Sequence, residues 1–117
     1  MTRPPRPFPF LRRFARIRAW ISERRRAGML NNIKADILII GAGPAGLTAA
    51  LYAARAGKTT VVLEGRAASR MALGYEIENY PGFPSVNSLE LLGKFMEHAR
   101  RFGARIVTGD AIALGLD

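Results

Sequence analysis

Three glycines and one acidic residue have the spacing of a nucleotide-binding site. Gly41, Gly43 and Gly46 form a G-x-G-x-x-G pattern directly after an apolar run, and Glu64 follows 23 positions after Gly41. Glycines at these positions allow a tight turn, close approach of a diphosphate to the backbone and close packing of a helix. A carboxylate at Glu64 can accept hydrogen bonds from both hydroxyls of a ribose and repels a 2′-phosphate. The pattern therefore predicts binding of FAD or NAD in preference to NADP.

A strand, a helix and a second strand position these residues. The apolar run Ile37 to Ile40 predicts the first strand, and residues 59–62 predict the second. Pro44 suits the first turn of the helix between them, and Gly57 suits its end. The free N–H groups at the start of this helix would face the phosphates. A glycine-rich turn of an unrelated α/β protein shares part of this pattern, but the register of all the parts favours the nucleotide site.

A second helix and a third strand follow farther along the chain. Asn87 or Ser88 is a typical helix N-cap, apolar residues then recur at helical spacing, and Gly103 ends the helix. Residues 104–108 predict a third parallel strand. Alternating strands and helices favour a parallel sheet.

The long segment between the second strand and the second helix carries a narrower motif. Residues 65–84 lack a clear helical or strand pattern, and loops of this length usually bind something. The segment contains Glu78-Asn79-Tyr80-Pro81-Gly82. Together with GAGPAGLTAALYAARAG, which begins at Gly41, this loop resembles the amino-terminal FAD domain of bacterial thioredoxin reductases, a class II pyridine nucleotide-disulfide oxidoreductase family. The resemblance covers residues 33–117.

The resemblance implies a fold and a cofactor. The fold would be α/β, a Rossmann-like three-layer FAD/NAD(P)-binding domain with a parallel sheet, of which this chain supplies only the N-terminal half. FAD would be the cofactor, and in the full-length family electrons pass from NADPH to FAD and then to a disulfide. The NADPH domain and the redox Cys-x-x-Cys would lie outside these 117 residues, which contain no cysteine. We therefore expect a truncated, cytoplasmic piece that binds FAD but is inactive alone, with no catalytic residue and no metal site.

By position, the resemblance also assigns site residues beyond the glycine turn. It implies that Asn79 approaches the flavin and that Arg70 and Met71 run beside the ribityl and pyrophosphate groups. The family usually has Gly-Gly-Gln where this chain has Ala68, Ser69 and Arg70. Arg70 either pairs with a phosphate or is a solvated loop cation. The predicted cofactor-binding residues are Gly41, Ala42, Gly43, Pro44, Ala45, Gly46, Glu64, Gly65, Arg70, Met71 and Asn79.

Two other functions fit the same residues. One is a ferredoxin- or NAD(P)-dependent reductase of the same architecture that lacks the dithiol. The other is a non-catalytic nucleotide-binding module tethered by a basic N-terminal arm. For the favoured function, the expected partners are FAD and a thioredoxin-like or other disulfide acceptor if the missing domain completes the chain. Family members are typically homodimers.

The predicted domain boundary separates a basic leader, residues 1–32, from the partial FAD-binding domain, residues 33–117. The leader holds nine arginines and one acid, for a net charge of +8, whereas the remainder carries +1. The pI of 11.3 therefore reflects the leader and does not predict specific nucleic-acid binding by the domain.

The leader itself is predicted to be disordered or to form a short amphipathic helix. Phe10, Phe14, Ile17 and Ile21 share one helical face in a segment that extends to about residue 26. Such a helix could contact an anionic membrane, act as a transit peptide or bind nucleic acid non-specifically. We favour the alternative that the leader has no role and that Met29 is a natural start. No apolar segment follows the paired arginines near its beginning, which argues against export.

Overall fold

The computed structural model of the chain describes residues 17–22, 33–67 and 69–116. Its centre is a sheet of three parallel strands, flanked by helices and by two short antiparallel pairs. In chain order the elements are β1 (Ile17–Ser22), β2 (Ile37–Ile40), α1 (Pro44–Arg55), β3 (Thr60–Glu64), a 3-10 helix (Arg70–Leu73), β4 (Glu76–Ile77), β5 (Val86–Asn87), α2 (Ser88–Arg101), β6 (Arg105–Thr108) and β7 (Asp110–Leu116).

The central sheet has the strand order β2-β3-β6, and both pairings are parallel. Ile37 lies opposite Thr60 in the first pair, and Val61 lies opposite Arg105 in the second. Parallel neighbours need a long crossover connection, which α1 provides for the first pair and α2 for the second. The α/β class, the parallel sheet and the third strand are therefore confirmed.

The two long helices pack on the same face of this sheet. Buried side chains of α1 and α2, including Leu47 and Leu91, form one core cluster with Val62 of the central strand. Side chains alternate between the faces of a strand, so Ile40 and Leu63 lie on the opposite face from Ile39 and Val62. On that face Val61 and Leu63 of the central strand are buried, whereas Ile40 is 52% exposed. In the part of the chain that the structure describes, helices thus cover one face, which gives two of the three predicted layers. Crossovers of the same hand place both helices on the same side of the sheet.

The second helix begins where the sequence predicts. Asn87 is its N-cap, and the side-chain oxygen of Asn87 accepts a hydrogen bond from the N–H of Leu89 at 3.0 Å. The amide nitrogen of the same side chain donates to the carbonyl oxygen of Gly74 at 3.0 Å. One side chain therefore caps α2 and ties its start to the preceding loop.

Part of the leader differs from its prediction. Ile17–Ser22 forms strand β1 and pairs antiparallel with β7, with Ile17 opposite Leu116. A short isolated helix is only marginally stable in water, whereas a strand pair supplies hydrogen-bond partners, and isoleucine and tryptophan favour strands. The predicted leader helix is thus replaced by a strand over these residues. The other predicted features of residues 1–16 and 23–32, and Ala68, lie outside the described residues.

The long loop contains more regular structure than its sequence indicates. Residues 70–73 form the 3-10 helix, and β4 pairs antiparallel with β5. These elements have only two to four residues each, too few for a recognisable hydrophobic period. They fold the loop back so that it leads directly into α2.

Candidate cofactor-binding site

The carboxyl ends of β2, β3 and β6 meet at one edge of the sheet, where they border a cleft of about 740 Å³. Ligands of open α/β sheets bind at this edge. Of the predicted residues, five line the cleft: Gly41, Ala42, Gly43, Glu64 and Gly65. Other described lining residues include Arg66, Ser69, Thr108, Gly109 and Asp110.

Two glycines of the turn are required by the protein itself. Gly41 has φ of +109°, a left-handed conformation that favours glycine, and its N–H donates to the carbonyl oxygen of Leu63 at 2.9 Å. A Cβ atom at Gly46 would overlap the carbonyl oxygen of Gly41 and lie 3.3 Å from the Cγ2 atom of Ile39. Helix α1 therefore approaches the turn so closely that only glycine fits at position 46.

Gly43 is different, because nothing in the described protein requires a glycine there. Its φ of −80° and ψ of −178° are ordinary extended values. A Cβ atom added at this position would have no neighbour within 4 Å. The residue faces open space in the cleft. If glycine is required at this position, a molecule bound in the cleft requires it and the fold does not.

The start of α1 has no side-chain cap and adjoins the cleft through Gly43. Gly43 is the N-cap and has no side chain that could accept a hydrogen bond from the first turn. Pro44 occupies the first helical position, where its missing N–H has no consequence. The following N–H groups and the positive end of the helix dipole favour an anion at this position. Pro44, Ala45 and Gly46 thus belong to the helix start and do not line the cleft directly.

Glu64 ends the central strand on the same cleft. Its side chain is half-buried, and its backbone carbonyl oxygen accepts a hydrogen bond from the N–H of Gly109 at 2.9 Å. The parallel register sets Glu64 opposite Thr108. Glu64 and the glycine turn, which are far apart in sequence, are therefore brought to one site.

Sequence reasoning missed Asp110, which also lines this cleft. Its Oδ1 atom accepts a hydrogen bond from the backbone N–H of Arg66 at 2.8 Å. Its Oδ2 atom lies 3.8 Å from Nε of Arg66. The available signal was its position directly after the third strand, at the carboxyl edge where sites of this fold lie.

The residues expected beside the flavin lie outside the cleft. Arg70 is exposed at the start of the 3-10 helix, and Asn79 is exposed in the loop 78–84. The structure instead puts the side chain of Met71 in the core, where it is 7% exposed. The carbonyl oxygen of Met71 accepts a hydrogen bond from the hydroxyl of the fully buried Ser88 at 2.6 Å. Met71 therefore fastens the 3-10 helix to α2.

Ser69 fits its position without backbone strain. Its φ of −56° lies outside the left-handed region, although the resembled family usually has a glycine there. Its hydroxyl accepts a hydrogen bond from the N–H of Met71 at 3.3 Å and so caps the 3-10 helix.

Comparisons with known proteins agree with this geometry. Residues 36–75 match the family described as FAD binding domain. Thioredoxin reductase of Bacillus subtilis (strain 168) is 50% identical over 76 residues, which cover 64% of this chain and 24% of that protein. Thioredoxin reductase of Aquifex aeolicus (strain VF5) is 49% identical over 84 residues, which cover 70% of this chain and 26% of that protein.

A solved structure shows the same similarity in three dimensions. The thioredoxin reductase from Giardia duodenalis superimposes with a TM-score of 0.64 at 31% sequence identity, over 70% of this chain and 29% of that one. This region is thioredoxin reductase-like. The sequence resemblance, the partial Rossmann-like fold and FAD as the predicted cofactor are thereby confirmed. The chain spans about a quarter of the length of the curated relatives it matches.

Proposed function

We propose that the chain binds FAD as the amino-terminal part of a thioredoxin reductase-like flavoprotein oxidoreductase. The observation that carries this proposal is Gly43, which the fold does not require and which faces the open cleft beside the uncapped start of α1. A pyrophosphate against the backbone at this position explains the residue type. The domain would extend over residues 33–117, preceded by the basic leader.

Each proposed contact belongs to one part of the cofactor. The turn and the helix start, residues 41–46, hold the pyrophosphate, and Glu64 and Gly65 contact the ribose of the adenosine half. Arg70 and Asn79, both exposed, lie on the flavin side. Met71 supports that side indirectly, since its side chain belongs to the core and its N–H and carbonyl oxygen bond to Ser69 and Ser88. The flavin supplies the redox chemistry, and the protein supplies binding and orientation.

The activity of the complete protein is a further part of the proposal. By similarity to thioredoxin reductases, electrons would pass from NADPH to FAD and then to a disulfide, with a thioredoxin-like acceptor and a homodimeric assembly. The NADPH site and the dithiol would come from chain beyond these 117 residues, because the sequence contains no cysteine. The chain matches only 24% and 26% of the length of these two thioredoxin reductases, which supports this part of the proposal.

We also propose a cytoplasmic location, by similarity to the thioredoxin reductases that the chain matches. No helix of the described residues is long and apolar enough to cross a membrane.

Titration of the purified chain with FAD tests the proposal, with flavin fluorescence and calorimetry as independent measurements. We expect saturable binding at one site per chain. Gly43→Ala should weaken FAD binding by about tenfold or more, because a methyl group would occupy the space of the phosphate. Gly93→Ala is the matched control, since its Cβ also meets nothing within 4 Å but lies on α2, outside the cleft.

Two results would contradict the proposal. One is a folded chain that shows no saturable FAD binding. The other is a Gly43→Ala variant that binds FAD as tightly as the unmodified chain and Gly93→Ala do.

A further inference from the structure

The segment after β3 is fastened to the turn between β6 and β7 by two hydrogen bonds. The N–H of Gly109 donates to the carbonyl oxygen of Glu64 at 2.9 Å, and the N–H of Arg66 donates to Oδ1 of Asp110 at 2.8 Å. The two bonds hold the residues on either side of Gly65. The second bond joins residues that are 44 positions apart, so it connects two strand ends directly.

The fit around this connection is close. A Cβ atom at Gly65 would lie 3.1 Å from Oδ1 of Asp110. A methyl group at this position would require the carboxylate to shift by a few tenths of an ångström, so the side chain of Asp110 lies close against the backbone of Gly65. The side chain of Asp110 therefore helps to hold the chain directly after Glu64 in place.

Hence we propose that Asp110 is a positioning residue for the adenosine half of the cofactor, acting by holding the backbone that orients the Glu64 carboxylate toward the ribose. The inference rests on the proposed function and adds a residue to it. Asp110 and Glu64 both line the cleft. Glu64 ends β3, and Asp110 begins β7, one residue after β6, which is the sheet neighbour of β3. A carboxylate that is already oriented loses less conformational freedom when a ribose binds, which strengthens binding.

The hydrogen bond to the backbone carries this role, and the ion pair adds little. The Arg66 and Asp110 side chains are 52% and 40% exposed, and Nε and Oδ2 are 3.8 Å apart. Exposed pairs of this kind are weakened by solvent and salt. Asp110→Asn should therefore preserve the function, because its side-chain oxygen can still accept from the N–H of Arg66, whereas Asp110→Ala should lose it.

The test compares the binding of ADP and of 2′-deoxy-ADP by calorimetry. Only ADP has the 2′-hydroxyl, from which the Glu64 carboxylate would accept a hydrogen bond. We expect the unmodified chain and Asp110→Asn to prefer ADP. In Asp110→Ala the affinity for ADP should fall by about fivefold to tenfold, and that for 2′-deoxy-ADP, which keeps only the 3′-hydroxyl, should fall by less, so that the preference for ADP shrinks. General destabilisation would lower both affinities together and would leave the preference intact.

Gly65→Ala provides a second variant should Asp110→Ala fail to fold. Its added Cβ would lie 3.1 Å from Oδ1 of Asp110, so the carboxylate must shift, which should reduce the preference for ADP in the same direction. The inference is overturned if Asp110→Ala or Gly65→Ala keeps the full preference, or if Asp110→Asn loses it while folded. If the unmodified chain binds FAD and ADP without any preference over 2′-deoxy-ADP, the inference fails and the proposed function stands. If it binds neither, both fail.

Discussion

Glycine occurs at three positions of the turn for three different physical reasons. Gly41 needs its positive φ, and Gly46 needs the absence of a Cβ atom against the carbonyl of Gly41. Gly43 needs neither, since its backbone is ordinary and its surroundings are open. The motif therefore combines two positions that serve folding with one that serves the ligand.

Alanine substitutions should separate these reasons. Gly46→Ala should lower the free energy of unfolding by about 3 kcal/mol, because the helix must move away from the turn. Gly43→Ala should lower it by only about 0.5 to 1 kcal/mol, because the added methyl group meets no neighbour and alanine is only a somewhat poorer N-cap than glycine. Urea unfolding without cofactor measures both. Equal destabilisation by the two substitutions would show that Gly43 also has a structural role.

At the scale of elements, the position of the loop depends on the start of α2. The side chain of Asn87 accepts from the N–H of Leu89 and donates to the carbonyl oxygen of Gly74, while Ser88 donates to that of Met71. These bonds join the first turn of α2 to the 3-10 helix and to the residue that follows it. The loop is thus held by polar contacts in addition to its apolar packing.

Substitutions at Asn87 measure the two parts of this connection. Asn87→Ala should lower the free energy of unfolding by about 1 to 2 kcal/mol, because it removes the cap and the loop contact together. Asn87→Asp keeps an acceptor for the N–H of Leu89 but loses the donor to Gly74, so it should be the less destabilised variant. Urea midpoints at unchanged m-values report the difference. The role assigned to the cap is wrong if both substitutions are equally destabilising.

How far the sequence predicts each element depends on its length and on the range of its contacts. Strands β2, β3 and β6 and helices α1 and α2 have clear periodic patterns, glycine or proline boundaries and a cap at Asn87, and all were predictable. The 3-10 helix and the β4–β5 pair are too short to show a period. The hydrogen bond from Arg66 to Asp110 spans 44 positions and leaves no local pattern. The glycine pattern predicted the side of the cleft that residues 41–43 form. The other side is formed by the turn after β6, which has no recognisable local pattern.

At the scale of the whole molecule, the leader takes part in the described structure through β1. This strand pairs with β7 over its whole length, from Ile17 opposite Leu116 to Ser22 opposite Asp110. An unpaired strand edge presents free N–H and C=O groups to other chains. Residues 17–22 of the leader therefore cover one edge of β7, a role that the charge and apolar pattern of the leader did not indicate.

Removal of residues 1–28 should consequently promote self-association. It deletes β1 and frees the edge of β7, so we expect the shortened chain to form dimers or larger species at micromolar concentration. Light scattering coupled to size-exclusion chromatography measures this, and removal of residues 1–15 is the control because it retains β1. A monomeric chain without residues 1–28, whose β7 amides exchange as slowly as in the full chain, would contradict the expectation.

The contrast between Gly43 and Gly46 has a consequence for the evolution of such domains. A descendant that lost its cofactor but still had to fold would remain under selection at Gly41 and Gly46. Position 43 would be released, since a side chain there meets no atom of the described protein within 4 Å. Drift at this position, with the other two glycines intact, would therefore distinguish a domain that has abandoned its nucleotide from one that still uses it.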